Sequence, residues 1–273
     1  MISLIKDEYL LSKVKSRIPV SHLRFIAEDI LKIPFAEFVS GRSISYENES
    51  KLKNILTEIK TGRPLEYILG RSGFFGLDLD IDENTLIPRK ETEILVEEVL
   101  KSLGDEDTIL DIGTGSGNIA VSLSLAKKRA KVFSVDISYP AIKTAVRNKG
   151  KYNTGNLFFV NSSLMNCFAS GSFDIIVSNP PYVEDSYIDN DSRLRCEPRP
   201  ALSGGPDGLD VIRNILKEAK SCLKKRGLLF LEIGFQQKDK VLKIADKNGW
   251  KVKAVVKDYS GIDRVLSFSR IGE

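Results

Sequence analysis

The sequence predicts an α/β protein in which a doubly wound, mostly parallel sheet of seven strands follows a small N-terminal helical domain. From Thr108 onward, short apolar segments alternate with helical segments, which is the pattern of strands joined by crossover helices. Before Gly62, apolar residues recur instead at three- and four-residue spacing, which is typical of amphipathic helices. These periodicities predict a helical domain over residues 1–72, a hairpin linker over 73–88 and the α/β domain over 89–273.

The composition of the 273 residues, 42% hydrophobic and 29% charged, is that of an ordinary globular protein. No apolar run approaches the ~18 residues that a membrane span needs. Lys6, Asp7 and Glu8 interrupt the N-terminus where a secretory signal would be apolar. We therefore expect a cytoplasmic protein with no membrane contact. The three cysteines are scattered and odd in number, which indicates plain thiols and no metal site.

The helical domain has one clear amphipathic segment before Gly62, formed by Leu52, Ile55, Leu56 and Ile59. Ser21 is expected to cap an earlier helix that runs through Leu31, with Pro34 marking its end. The only histidine, His22, lies in this domain, and we interpret it as a packing or surface residue.

The hairpin linker is predicted from Leu77, Leu79 and Ile81, which alternate with aspartates at period two. Pro88 should close it ahead of a helix over about 91–103. The strands of the sheet are predicted at 108–112, 131–135, 157–160, 173–178, 228–233, 250–257 and 264–270. The last two are joined by too few residues for a crossover helix, so one of them should run antiparallel.

A glycine-rich turn follows the first strand of the sheet, from Gly113 to Gly117, and a helix follows the turn. Such a turn lets the backbone approach a ligand at a helix N-terminus. Asn118 stands where a dinucleotide fingerprint would have its last glycine, so an ordinary tight turn remains an alternative. Asp136 ends the next strand and can accept the ribose hydroxyls of an adenosine ligand, or can simply cap a helix.

The segment from Asn179 to Tyr182 reads Asn-Pro-Pro-Tyr and comes directly after a buried strand. Its prolines predict a rigid loop at the carboxyl end of that strand, where open sheets bind ligands. The side-chain oxygen of Asn179 and the carbonyl of Pro180 can each accept one N–H of a planar amino group. Tyr182 can stack on that group. A purely structural turn is the alternative.

Taken together, these residues resemble the class I methyltransferases that use S-adenosylmethionine (SAM), and among them the HemK/PrmC family of protein glutamine-N5 methyltransferases. The likeness spans nearly the whole chain. It includes Pro64, Tyr67, Ile68, Gly70 and Phe74, the segments 87–89 and 91–93, the glycine loop from Asp111, the segment 178–182, and the segments 197–198, 201–202, 204–205, 207–209, 232–234, 257–258 and 263–265 with Gln237.

The resemblance implies that SAM binds to a set of turn residues that are followed by an acidic residue and a leucine. These are Gly113, Thr114, Gly115, Ser116, Gly117, Asp136 and Leu164, with Asn179 beside them. The glutamine amide of a peptide chain release factor would bind to Asn179, Pro180, Pro181 and Tyr182, of which Asn179, Pro180 and Tyr182 would be catalytic. The helical domain would contact the release factor, and we expect a monomer that needs no nucleic acid.

Two positions depart from the family's pattern. Lys90 stands where the family repeats proline, and the segment 161–163 lacks the usual aspartate. Other classes also remain open. An amino-methyltransferase acting on DNA or RNA would use the same loop, although the sequence has no basic region interleaved with aromatic residues. A nicotinamide-dependent oxidoreductase and an inactive binding protein are the remaining alternatives.

Overall fold

The computed structural model describes residues 18–40 and 45–271. The chain divides into two compact units, Met1–Leu69 and Gly70–Glu273. The first element of the larger unit is the β-hairpin, so the hairpin packs as part of that unit. The domain boundaries that the sequence gives at residues 72 and 88 stay predictions.

The described part of the smaller unit consists of α1 (Val20–Phe25, continued by a π-helical turn at Ile26–Ile30), α2 (Phe35–Ser40), α3 (Tyr46–Lys60) and α4 (Leu65–Leu69). Leu52, Ile55 and Leu56 of α3 are buried together with Ile26 and Phe38, because they share one face of the helix. His22 lies 3.9 Å from Glu66 in the same unit.

The first described helix begins two residues earlier than predicted. Its N-cap residue is Pro19, whose carbonyl accepts the N–H groups of His22 and Leu23 at 3.0 and 2.9 Å. Ser21 therefore lies inside the first turn and does not hold the cap position. Proline supplies the fixed φ that suits the start of a helix, which is why it takes this place.

The larger unit runs in chain order through β1 (Arg71–Phe74), β2 (Leu77–Asp80), α5 (Lys90–Ser102), β3 (Thr108–Ile112), α6 (Asn118–Ala126), β4 (Lys131–Asp136), α7 (Tyr139–Tyr152), β5 (Leu157–Asn161), β6 (Phe173–Ser178), α8 (Asp185–Asn190), α9 (Arg199–Leu202), α10 (Asp210–Cys222), β7 (Leu223–Glu232), α11 (Lys238–Lys247), β8 (Trp250–Lys257) and β9 (Asp263–Arg270). A short 3₁₀ turn at Leu194–Cys196 lies between α8 and α9.

The sheet has seven strands in the order β5-β4-β3-β6-β7-β9-β8. Strand β9 runs antiparallel to both of its neighbours, and the other adjacent pairs are parallel. The predicted fold class is therefore confirmed, including one antiparallel strand in the last pair. The short connection after β8 explains it, since only an antiparallel return can be made in a few residues.

Two apolar cores lie on opposite faces of this sheet. Leu110 and Ile176 face the core that includes α10 and α11, whereas Ile109 and Ile175 face the core that includes α5 and α6. This alternation follows from the two-residue period of a strand. Trp250 lies in the first of these cores, is 2% exposed and donates its indole N–H to the carbonyl of Leu216 at 2.8 Å.

The hairpin is fastened to α7 by both charged and neutral contacts. Asp78 and Asp80 accept hydrogen bonds from Lys151 at 3.0 and 2.8 Å. The buried Asn148 accepts from the N–H of Asp80 and donates to its carbonyl, both at 2.8 Å, and also donates to the carbonyl of Ser116 at 2.8 Å. Hairpin and glycine loop are therefore held together by one side chain. In the described ranges, no helix is long and apolar enough to cross a membrane.

Candidate active site

The sheet is built outward in two directions from the pair β3 and β6: β4 and β5 follow β3 toward one edge, and the strands after β6 lie toward the other edge. Strands β3 and β6 pair in parallel, with Ile112 beside Ser178 at their carboxyl ends. The Ser178 hydroxyl donates to the Ile112 carbonyl at 2.7 Å. The glycine loop after β3 and the Asn-Pro-Pro-Tyr loop after β6 therefore leave the sheet side by side, at the type of switch point where open α/β sheets bind ligands.

The glycine loop has a left-handed backbone at its glycines. Gly113 and Gly117 have φ values of +80° and +84°, which other residues adopt only with strain. A Cβ on Gly117 would lie 3.2 Å from the Cβ of Ala145 on α7. Gly117 is the N-cap residue of α6. The loop is thus bent tightly enough to bring the start of α6 next to the carboxyl end of the sheet.

Asp136, at the carboxyl end of β4, is held by backbone donors on both of its oxygens. The N–H of Gly115 donates to one oxygen at 2.9 Å and the N–H of Ser138 donates to the other at 2.8 Å. Burial raises the pKa of this carboxyl, while the two N–H groups lower it. Each oxygen keeps a second lone pair, so the group can accept two further hydrogen bonds.

Asp111 is a fully buried carboxyl beneath the glycine loop. One of its oxygens accepts a hydrogen bond from Ser134 at 2.7 Å, and the other makes none of normal geometry. Burial raises the pKa of Asp111 to about 7, Ser134 and Thr114 lower it, and the nearby charge of Asp136 raises it. The hydroxyls of Thr114 and Ser116 are also buried without a hydrogen bond of normal geometry. Buried polar atoms normally have partners, so this cluster is suited to a polar ligand.

Asn179, the first residue of the Asn-Pro-Pro-Tyr loop, has its side chain fixed by the neighbouring helix. Its Nδ2 donates to the hydroxyl of Thr92 on α5 at 3.0 Å. The amide oxygen Oδ1 therefore points away from that contact and is left as an acceptor. Tyr182 donates its phenolic O–H to Glu232 at 3.1 Å, and burial raises the pKa of that phenol. Both polar side chains of the loop are thus held from behind.

A cavity of about 300 Å³ lies over the carboxyl ends of β3, β4 and β6, a size that suits a small-molecule ligand. A second cavity of about 140 Å³ adjoins it, and Asn179, Pro180 and Arg89 line both. The larger cavity is lined by eight predicted site residues of the glycine loop, Asp136 and later loops: Gly113, Thr114, Gly115, Ser116, Asp136, Leu164, Pro180 and Pro181, with Asn179 as a ninth. Tyr182 lines the smaller cavity only. Gly117 lines neither cavity and instead begins α6.

One wall that both cavities share is tied together by an ion pair. Glu197, which is buried, accepts hydrogen bonds from the guanidinium of Arg89 and from the N–H of Ile87, the latter at 3.1 Å. The contact joins the segment that follows the hairpin to the segment before α9, although they are about a hundred residues apart in sequence. Both segments therefore keep a fixed position over the site.

Comparison with known proteins agrees with this geometry. Residues 89–195 match the family pattern described as "Methyltransferase small domain". The release factor glutamine methyltransferase of Fusobacterium nucleatum is 37% identical over 256 residues, which cover 91% of this chain and 72% of that protein. The enzyme of the same description from Thermodesulfovibrio yellowstonii is 37% identical over 247 residues, covering 87% and 88%. This chain belongs to the release factor glutamine methyltransferase family.

A solved methyltransferase from Pyrococcus furiosus has the same fold. It is 21% identical, with a TM-score of 0.56, and the match covers 79% of this chain and 98% of that one. The structure places the two positions at which the sequence is expected to depart from the family's pattern. Lys90 is the first residue of α5 and lies 3.1 Å from Glu93. Asn161 donates to the carbonyls of Asp136 and Ile137 at 2.8 and 3.0 Å, so it supports the loop after β4.

Several residues of the site were given no role by the sequence analysis. Arg89, Thr92, Asp111 and Glu232 were all within segments that resemble the family, but their contacts depend on the fold. A usable signal does exist for two of them. Asp111 lies within the apolar strand β3 and Glu232 directly follows the apolar run 228–231 of β7, and carboxylates in such segments are seldom buried without a purpose.

Proposed function

We propose that this chain transfers a methyl group from SAM to the side-chain amide nitrogen, N5, of a glutamine in a peptide chain release factor. The observation that carries the proposal is the orientation of Asn179. Its Nδ2 is bonded to Thr92 at 3.0 Å, so its oxygen is free to accept an N–H. It also stands where the two cavities meet, which is where donor and acceptor would have to come together.

The larger cavity fits SAM. The two remaining lone pairs of Asp136 would accept the ribose hydroxyls, and Ile137 and Leu164, which line the same cavity, would contact the adenine. The loop residues Thr114 and Ser116, which line the same cavity, would hold the charged methionine part. When bound there, SAM supplies an electrophilic methyl group on a sulfonium.

The smaller cavity fits a glutamine side chain. The nitrogen of an amide is a poor nucleophile because its lone pair is delocalised into the carbonyl. Asn179 Oδ1 and the carbonyl of Pro180 would each accept one of its N–H bonds, which orients the nitrogen and favours the positive charge that develops on it. Tyr182, on the wall of this cavity, would pack against the planar amide and exclude water. The proton lost from the methylated nitrogen would go to water.

We assign recognition of the release factor to the helical domain over residues 1–72, with the hairpin over 73–88 as its link to the catalytic domain. We also propose that the enzyme acts as a monomer. The densest basic cluster, at the end of α6, is partly neutralised, since Lys127 and Arg129 both pair with Asp105 at 2.9 Å. This supports a protein substrate over nucleic acid. Release factors act in translation, so the proposal also places the enzyme in the cytoplasm.

The proposal is tested by incubating the protein with SAM carrying a tritiated methyl group and a purified release factor, followed by mass spectrometry of the peptides. We expect a methylated glutamine in the release factor. Asn179→Ala should lower kcat by about 10²-fold or more, because the lost acceptor acts in the transition state, while the Kd for SAM changes little. Asn190→Ala, an exposed asparagine on α8, is the matched control and should retain full activity.

Two results would overturn the proposal. Label that enters an RNA or DNA oligonucleotide and not the release factor would place the enzyme among the nucleic-acid amino-methyltransferases. Unchanged turnover of Asn179→Ala would remove the role given to its side chain.

A further inference from the structure

Glu232 is a buried carboxyl directly behind the proposed acceptor site. It is the last residue of β7, which pairs with β6, and the preceding residue of β7 lies beside Ser178. Glu232 therefore lies level with Asn179 in the sheet. Its side chain is fully buried. A carboxyl in this position is costly to bury, and binding of neither SAM nor the glutamine uses it.

Glu232 contacts both polar side chains of the Asn-Pro-Pro-Tyr loop, one directly and one through an intermediate. Its Oε1 accepts the phenolic O–H of Tyr182 at 3.1 Å. On its other side lies the hydroxyl of Thr92, whose proximity lowers the pKa of Glu232. Glu232 Oε2 is buried and makes no hydrogen bond of normal geometry, so this oxygen can accept the O–H of Thr92 when that hydroxyl turns toward it.

The charge of Glu232 determines which group donates and which accepts in the contacts from Glu232 through Thr92 to Asn179. An ionised carboxylate is an acceptor only, so it orients the O–H of Thr92 and the O–H of Tyr182 toward itself. The lone pairs of Thr92 then face Asn179, which must present its NH₂ group to them. The oxygen of Asn179 is consequently left for the substrate.

A protonated Glu232 would remove this constraint. Its own O–H could donate to Thr92, whose hydroxyl proton would then be free to point at Asn179. The Asn179 amide could in that case turn over and present its NH₂ group to the substrate, and two NH₂ groups facing each other cannot form a hydrogen bond.

We propose that Glu232, as a carboxylate, is a positioning residue that fixes the orientation of the Asn179 amide through Thr92 and holds Tyr182 through its phenol. This inference rests on the proposed function of the site. It assigns Glu232 and Thr92 to the methyl-transfer step without contact with the substrate.

The protonation of Glu232 falls in an accessible range. Its pKa is raised to about 7, chiefly by burial and to a smaller extent by the charge of Glu91 on α5, against the opposing effects of Thr92, Tyr182 and Arg264 on β9. Arg264 is itself paired with Asp258 at 2.9 Å. Turnover of the wild type should therefore decline as the pH falls below about 7, since only the ionised form orients Asn179.

The test measures methyl transfer to the release factor by four forms of the full-length chain: the wild type, Glu232→Gln, Thr92→Val and Thr92→Ser. Glutamine and valine are close in volume to the residues that they replace, so neither substitution opens a cavity. We expect kcat to fall about 10- to 100-fold in Glu232→Gln and Thr92→Val, with the Kd for SAM unchanged. Thr92→Ser keeps the hydroxyl and should retain most of the wild-type kcat. Melting temperatures check that each variant is folded.

The pH profile separates positioning from a merely structural role. The wild-type decline in kcat below about pH 7 should disappear in Glu232→Gln, which cannot titrate there. The double variant Glu232→Gln/Thr92→Val should be little slower than either single variant, because both break the same chain of contacts. The inference would be overturned if Glu232→Gln had the same kcat as the wild type. It would also be overturned if the fold-loss of kcat in the double variant equalled the product of the two single losses. An inactive wild type would instead refute the proposed function itself.

Discussion

Replacement of Asp111 by asparagine should flatten the dependence of folding stability on pH. Asp111 has an ordinary carboxyl pKa of 3.8 in the unfolded chain, and burial raises it to about 7 in the folded protein. A carboxyl whose folded pKa is raised stabilises the fold below its unfolded pKa, and that contribution is lost as the pH rises through the folded pKa. The wild type should therefore lose stability between mildly acidic and mildly basic pH, and the neutral asparagine should not share that loss.

The size of the effect follows from the two pKa values. Between about pH 5 and about pH 8, the deprotonation of Asp111 in the folded protein accounts for about 2–3 kcal/mol of lost stability in the wild type. The absolute stability of Asp111→Asn is less informative, because its NH₂ group needs an acceptor in place of the former carboxylate oxygen. The slope against pH is free of that complication.

The assay is urea unfolding of the wild type and Asp111→Asn at both pH values, monitored by tryptophan fluorescence. Trp250 is the only tryptophan and is buried in the larger unit, so the signal reports on the unit that contains Asp111. The change in unfolding free energy between the two pH values should be about 2–3 kcal/mol smaller in the variant. Parallel pH dependences in the two proteins would refute the reasoning.

Three further changes should have defined effects. Asn148→Ala should lower the free energy of unfolding by about 2–4 kcal/mol, because it leaves backbone groups of the hairpin and the glycine loop unpaired. It should also weaken SAM binding measured by calorimetry, and unaltered values for both would count against the link. Lys90→Pro should raise stability by about 0.4–1 kcal/mol in thermal melts, since Lys90 opens α5 and Arg89 before it is extended as proline requires; a lower melting temperature would contradict this. Gly117→Ala should lower the free energy of unfolding by about 1–3 kcal/mol, whereas the control Gly155→Ala, with open space around it, should leave it nearly unchanged. Equal unfolding midpoints of the two variants would contradict the strain at Gly117.

The fold was predictable because its signals are local. Each strand of the sheet is a short apolar segment with its own boundaries, and the few residues between β8 and β9 are enough to require an antiparallel return. The start of α1 was missed because Pro19 and Ser21 both favour the beginning of a helix, and the sequence does not show which one holds the N-cap.

The site was predictable only where a backbone motif defines it. The glycine loop and the Asn-Pro-Pro-Tyr segment are continuous in sequence, so their positions follow from the strands that precede them. Thr92 and Glu232 lie some eighty-seven and fifty residues from their partners Asn179 and Tyr182. Contacts of this kind arise from tertiary packing, and a single sequence contains no spacing that reveals them.

The pairing of β3 with β6 has a consequence for how the enzyme can vary. Neighbouring parallel strands are separated by about 4.8 Å, and this fixed interval, not the length of the intervening chain, sets the separation of the two loops that follow them. The turn near Gly155, which has open space around it, could thus be lengthened or cut without moving one loop relative to the other. A chain nicked at that turn should keep its reaction geometry intact.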